Sequence, residues 1–259
     1  MAVSPGRVRP LGSHPNPLVE TDMSPAVHAV ELGRDVPDDI HVVRVDLDFG
    51  LALTDPMFDV LSTEERAVAS AFRQPGDATR SAATRAALRQ VLAAQLGRPA
   101  ESLAFTRSER GRPALAKPGL PPLDFNVAHS GDHALIVWSR RRRVGVDIEV
   151  LRPDWDWRPL GRMVLGAEDV RRIDAAPDDQ QRAALFYAVW TAKEALLKAE
   201  GRGITAGLDG FSVLSDDARR PRVGGTGPVA SSLSDFDAVW HCGIAGHAAC
   251  VAWGAPEQA

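Results

Sequence analysis

The sequence predicts an α+β protein built as two similar lobes, a pseudo-twofold duplication in which each lobe is a small antiparallel sheet with a long helix packed on it. Three observations carry this. Helical periodicity is confined to a few segments, two of them long; short strand-like runs follow each long segment; and the order short helix, long helix, strands occurs twice. The repeat divides the chain into a flexible arm over residues 1–38, an N-terminal lobe over 39–144 and a C-terminal lobe over 145–259, with the halves meeting near Arg143 to Val146.

The arm holds several prolines and no sustained periodicity, and Met23 offers an alternative start. His41 to Val45 is strand-like. Ser62 is an N-cap with Glu65 three residues on, a capping box. Ala78 to Leu96 is a helix, with Ala82, Ala86, Leu88, Val91, Leu92 and Leu96 at helical spacing and Gly97 as its stop. Strands around Leu103 to Phe105 and Phe125 to Val127 flank a Gly/Pro-rich stretch containing Gly111-Arg112-Pro113. Ala134 to Trp138 and Val144 to Val150 are strands joined by the turn Ser139 to Arg143, whose arginines read as a solvated run. The second half repeats the order: a short helix at Ala167 to Ile173, a long one from Gln181 to Glu200 ended by Gly201 and Gly203, and strands from Phe211 and from Val239, the last hairpin turning at Ala245-Gly246-His247.

Composition bounds the function. A chain of 259 residues with 44% hydrophobic and 25% charged content can bury a sizeable core. No apolar run approaches the ~20 residues that span a bilayer, and the N-terminus lacks the apolar stretch of a secretory signal, which points to the cytoplasm and away from membranes. A net charge of −4 counts against nucleic acid as a partner. Cys242 and Cys250 are too few for a disulfide framework, and with His241 and His247 they lack the tight paired spacing of a structural zinc site.

The chemistry concentrates in three places. The chain has only three lysines, and two of them, Lys193 and Lys198, stand within six positions of one another in Trp190-Thr191-Ala192-Lys193-Glu194-Ala195-Leu196-Leu197-Lys198. Elsewhere arginine supplies almost all the cations, so a compact ammonium has a purpose here that guanidinium does not serve. Trp190, Glu194 and Lys198 recur at four-residue spacing and share a helix face. In Gly145-Val146-Asp147-Ile148-Glu149 the two carboxylates share a strand face and together suit a hard cation such as Mg²⁺. The bland alternatives are a solvated edge strand and a surface Glu–Lys pair, which leave the lysine scarcity and the tryptophan of the same row unexplained. The third place is Phe125 to Asp132, a strand running into a turn with Asn126, His129, Ser130 and Gly131. Upstream, Arg112 on its Gly-Pro-bounded turn reads as an exposed phosphate clamp.

These residues resemble the 4′-phosphopantetheinyl transferases of the two-lobed, surfactin-synthetase-activator type. The two catalytic stretches above carry the resemblance. Phe125-Asn126-Val127-Ala128-His129-Ser130-Gly131, Gly111-Arg112-Pro113 and Leu61-Ser62 through Asp77-Ala78-Thr79-Arg80 support it, in order from about residue 40 onward. The resemblance implies Mg²⁺-dependent transfer of phosphopantetheine from coenzyme A to a serine of an apo acyl or peptidyl carrier protein by a monomer, with Mn²⁺ as a substitute metal and 3′,5′-ADP as the second product. It implies Asp147, Glu149 and Glu194 as metal ligands, with Glu194 also the base, Lys198 bridging to the pyrophosphate, and Asp147, Glu194 and Lys198 as the catalytic set. Arg80, Ser81, Arg112, Ala128, His129, Ser130, Lys193 and Lys198 fall at its coenzyme A positions, the N-terminal lobe being the coenzyme A side. Two departures stand out. Ala128 replaces the family's usual serine, and Glu65 and Val68 stand where some relatives carry lysines for the 3′-phosphate. The rival readings are a metal-dependent phosphodiesterase or nuclease, and a non-catalytic carrier-binding module.

Overall fold

The computed structural model describes residues 26–108, 111–116, 122–202 and 207–257. In the first half, β1 (Val27–Ala29), β2 (His41–Asp46), β5 (Asp124–Ser130) and β6 (His133–Ser139) form an antiparallel sheet in the order β1-β2-β6-β5. The hairpin β3 (Phe105–Arg107) and β4 (Pro113–Leu115) stands beside it. In the second half, β7 (Arg142–Val150), β8 (Asp237–His241) and β9 (His247–Pro256) form a sheet in the order β7-β9-β8. Each sheet carries one 22-residue helix, α2 (Pro75–Leu96) on the first and α5 (Asp179–Glu200) on the second.

Strand periodicity explains how these parts stack. Along β6, Ala134, Ile136 and Trp138 pack with Ala82, Ala86 and Leu92 of α2, whereas Leu135 and Val137 turn to the opposite face. There they meet Val144, Val146, Ile148, Val239 and Val251 of the second sheet. The alternate residues of that sheet, Cys250, Ala252 and Ala238, pack under α5 with Val189, Ala192 and Leu196. The order of layers is therefore α2, first sheet, second sheet, α5. A strand buried on both faces needs a continuous apolar run, which is what β6 and most of β9 have.

Local signals set the helix ends. The Ser62–Glu65 capping box of α1 (Thr63–Ser70) is formed in both directions, at 2.9 and 3.2 Å. Gly97 and Gly201 cap α2 and α5 in the left-handed conformation. The second half adds α3 (Arg158–Val164), α4 (Ala167–Asp174) and α6 (Pro228–Leu233); of these, only α4 is expected from the sequence, and its Asp169 accepts from Gly166 N at 3.2 Å.

Several expectations need correction. Residues 1–25 and Gly203 lie outside the described residues, but the end of the expected arm is ordered. Val27–Ala29 pairs with β2, and Leu32 is buried between the sheets. No strand begins at Phe211; Ser212 and Gly224 form one isolated bridge instead. β7 runs unbroken across the expected boundary between residues 144 and 145. No helix among the described residues is long and apolar enough to cross a membrane.

Candidate active site

Gly145, Asp147 and Glu149 alternate along β7 on the face that α5 covers. A Cβ on Gly145 would fall against the Ala195 carbonyl oxygen and within 2.5 Å of Ala199 N, so the helix closes onto the strand at this glycine. From there the Trp190, Glu194 and Lys198 row of α5 lies over the two carboxylates. Trp190 Nε1 donates to Glu149 Oε1 at 3.2 Å, and Lys198 Nζ donates to Asp147 Oδ1 at 2.6 Å. Asp147 is 5% exposed and Glu194 3% exposed, which rules out the solvated-edge and surface-pair readings.

Asp147 Oδ2 and Glu194 Oε1 are buried without a hydrogen-bond partner. Burial is the main reason both carboxyls are hard to ionise. Asp147 is pushed up to about 6, with Glu149 adding to the shift against the pull of Lys198. Glu194 is pushed up to about 7, with Asp147 and Glu149 adding to it. Burial opposes the charge on Lys198, but the attraction of Asp147, Glu194 and Glu149 outweighs it and raises its pKa, so it remains an ammonium. Three carboxylates around one lysine leave a negative excess with two free buried oxygens, a donor set that fits a small divalent cation. The three are not gathered within 4.8 Å of one another as a ligand set, since Asp147 leans on Lys198 and Glu149 on Trp190 and Ser130.

The wall facing this cluster comes from the N-terminal half, with Arg80 as its cation. Burial and then the nearby Arg80 charge hold His129 below the ordinary histidine value, with Lys198 adding to the effect and Glu149 opposing it. Arg80, His129, Glu149 and Lys198 are thus within electrostatic reach of one another. Arg80 is fixed by Asp77 Oδ1 at 2.6 Å and by the Gly131 carbonyl at 3.3 Å, with its guanidinium over Phe49. Ser81 follows it on α2, partly exposed.

Four expected contacts with coenzyme A are contradicted or redirected. Lys193 is fully buried. Its Nζ donates to the Val164 carbonyl at 2.7 Å, the Leu208 carbonyl at 2.8 Å and the Phe211 carbonyl, and pairs with Asp169 at 2.9 Å, so no donor remains for a ligand. Arg112 is no exposed clamp. It bonds Asp124 at 2.5 Å and the carbonyls of Val144, Phe125 and Lys198. Ala128 packs between the sheets at 6% exposure. The Ser130 hydroxyl donates to Glu149 Oε2 at 2.8 Å and accepts from Val150 N at 3.0 Å, which makes it a support for Glu149.

Ser130 is part of a seam. Along β5 the same face presents Asp124, which accepts from Val144 N at 2.8 Å, Asn126, which accepts from Val146 N at 3.1 Å, then Ala128 and Ser130. Side chains thus satisfy alternate backbone groups of β7 where no strand pairs. The hydroxyl missing at Ala128 is missing from this seam. Sequence reasoning also passed over the apolar wall beside Glu149, a pocket of about 160 Å³ lined by Trp155, Leu160, Phe186, Tyr187 and Trp190. Its signal was available: aromatics are 6% of the chain, yet Trp155, Trp157, Phe186, Tyr187 and Trp190 crowd together.

Residues 143–252 match the model of the 4′-phosphopantetheinyl transferase superfamily, and residues 54–140 match that of a 4′-phosphopantetheinyl transferase N-terminal domain. A putative 4′-phosphopantetheinyl transferase of Synechocystis sp. is 37% identical over 150 residues, covering 58% of this chain and 61% of that protein. The 4′-phosphopantetheinyl transferase HetI of Nostoc sp. is 34% identical over 171 residues, covering 64% of this chain and 70% of HetI. A holo-ACP-synthase structure from Plasmodium yoelii is a distant likeness, at 17% identity and a TM-score of 0.36 over 46% of this chain and 97% of that one.

Proposed function

The chain belongs to the 4′-phosphopantetheinyl transferase family, and we propose that it transfers the 4′-phosphopantetheine arm of coenzyme A to a serine of an apo acyl or peptidyl carrier protein, releasing 3′,5′-ADP. The observation that carries this reading is the constellation of buried Asp147 and Glu194 with partly exposed Glu149 and Lys198, with two unpartnered buried oxygens, set near Arg80 and His129. Asp147, Glu149 and Glu194 would hold Mg²⁺, or Mn²⁺ in its place; bound there, the metal supplies charge that offsets the pyrophosphate.

In the transfer, the serine oxygen forms a bond to the β-phosphorus and the bond from that phosphorus to the oxygen bridging to the α-phosphate breaks. The electron pair leaves with 3′,5′-ADP. Glu194, whose carboxyl is made more basic by burial and by the neighbouring Asp147 and Glu149, takes the serine proton at a carboxylate oxygen. Lys198 stays protonated and offsets charge on the leaving phosphate, a role of charge more than of proton donation. Arg80 and His129 orient the phosphates, and Ser81 touches the adenine. Trp190 and Ser130 hold Glu149 in position. The protein acts as a monomer in the cytoplasm, with no part for nucleic acid or membrane.

The test incubates the protein with coenzyme A, Mg²⁺ and several apo carrier proteins and reads intact mass. A phosphopantetheine increment on at least one carrier, abolished by Asp147→Ala, is expected. Absence of the increment on every carrier, or cleavage of phosphodiester substrates in its place, overturns the reading.

A further inference from the structure

We propose a second metal site, for a transition-metal dication of the Zn²⁺ type, formed by Asp132, His133 and His247 where the two halves of the chain meet. Asp132 and His133 stand at the turn between β5 and β6, and His247 opens β9. One ligand atom from each lies within 4.8 Å of the others. His133 Nε2 and His247 Nε2 are each 3.7 Å from the same Asp132 Oδ1, and the two rings are 4.9 Å apart. In a tetrahedral zinc site with bonds of ~2.0–2.1 Å, neighbouring ligand atoms stand roughly 3.4 Å apart, so little movement is needed.

The second nitrogen of each ring strengthens the case. His247 Nδ1 faces the Ala245 carbonyl at 3.0 Å, which only accepts, so the proton belongs on Nδ1 and the lone pair on Nε2. His133 Nδ1 is 3.0 Å from Asp46 Oδ1, although not aligned as a hydrogen bond, and that carboxylate favours the same tautomer. A ligating histidine ordinarily has its other nitrogen directed at a carbonyl or carboxylate in this way. The His247 side chain is only 5% exposed, and its Nε2 has no hydrogen-bond partner. Burying such an atom unpaired is costly, and a metal would relieve it.

Gly131 makes the approach possible: a Cβ there would come within 3.0 Å of His247 Nε2, and its φ of +57° suits glycine. Gly131 also gives its carbonyl to Arg80, and Ser130 braces Glu149. A metal held here would therefore pin the turn that carries His129 and Ser130 to the second sheet. Its softer nitrogen donors select Zn²⁺ over Mg²⁺.

The experiment titrates chelator-treated protein with Co²⁺, a spectroscopic substitute for Zn²⁺, in excess Mg²⁺. One equivalent with the intense visible absorption of tetrahedral Co²⁺ is expected, and Zn²⁺ should displace it. The signal should survive a variant carrying Asp147→Asn and Glu149→Gln. Asp132→Asn, on an exposed turn that does not endanger folding, and His133→Gln should each weaken binding at least tenfold. Absence of the tetrahedral signal, or a signal lost with Asp147 and Glu149 but kept in both the Asp132 and His133 variants, overturns the proposal. Neither result touches the phosphopantetheine assay, so the two readings fail separately.

Discussion

Glu194 has two demands on it that conflict at the scale of one side chain. Its surroundings push the carboxyl from an ordinary 4.5 to about 7, so below pH 4.5 the group costs nothing, and as pH rises toward 7 the unfolded chain ionises while the folded one resists. Stability is therefore lost between those values, by roughly 3 kcal/mol in full. In chelator, Glu194→Gln should unfold at a higher temperature than the parent at pH 8 and at the same temperature at pH 4; an equal gain at both pH values would mean that the carboxyl is not destabilised by burial. The two lysines separate on the same grounds. Their scarcity was legible as chemistry, and for Lys198 it leads to the carboxylates. For Lys193 it leads into the core, where a thin stem brings three N–H donors to three carbonyls and the ammonium charge to Asp169. Nothing in its own segment announces that partner, 24 positions away in sequence and also bonded to the backbone of Val213 and Leu214. Lys193→Met should cost about 3–5 kcal/mol, the penalty for stranding a buried carboxylate, seen as a lowered denaturation midpoint. An unchanged midpoint would show the pair to be dispensable.

At the scale of elements, the contact that makes the site is α5 on β7. Ala195 and Ala199 keep that face of the helix low, and Gly145 removes the last obstacle under it. Further along the strand, Asp147 and Glu149 find room beneath Glu194 and Trp190. Gly145→Ala places a methyl group against two backbone atoms that cannot yield as a side chain can. The expected loss is at least about 3 kcal/mol, or roughly 6–12 °C in Tm for a chain of this size, with transfer activity lost in parallel; a variant of normal stability would refute the tight docking. The sequence made both partners visible because period 2 in β7 and period 4 in α5 are strong signals. β1 and β4 were not visible. Each is three residues long, and pairing with a neighbour, rather than any pattern of their own, makes them strands. The same logic reduces the expected strand at Phe211 to the Ser212–Gly224 bridge.

Across the whole molecule, the sequence repeats the order short helix, long helix, strands, but the way the two sheets join is not written in it. Four layers stack because β6 and β9 are apolar on both faces, and an apolar run alone does not say which sheet covers which face. The joining polar contacts span long sequence separations: Asp39 with Ser139 and Arg142, Arg220 with Asp35, and the seam from β5 to β7. The run Arg140 to Arg143, read from sequence as solvent-facing, supplies one of these clamps. Arg112 is at the centre of the seam. Its guanidinium joins Asp124 on β5, Val144 on β7 and the carbonyl of Lys198 on α5, and Asp124 in turn holds Val144 N. Removing it takes a charged donor from Asp124 and from the carbonyls of Phe125, Val144 and Lys198 while no ligand-facing group changes. Arg112→Ala should therefore lose about 1.5–3 kcal/mol, the worth of charge-assisted hydrogen bonds, and loosen the union of the halves. Coenzyme A discrimination against its 3′-dephospho form should stay as in the parent at temperatures where the variant is folded. Such a variant distinguishes a seam residue from a phosphate clamp: normal stability with lost discrimination would return Arg112 to the coenzyme A site.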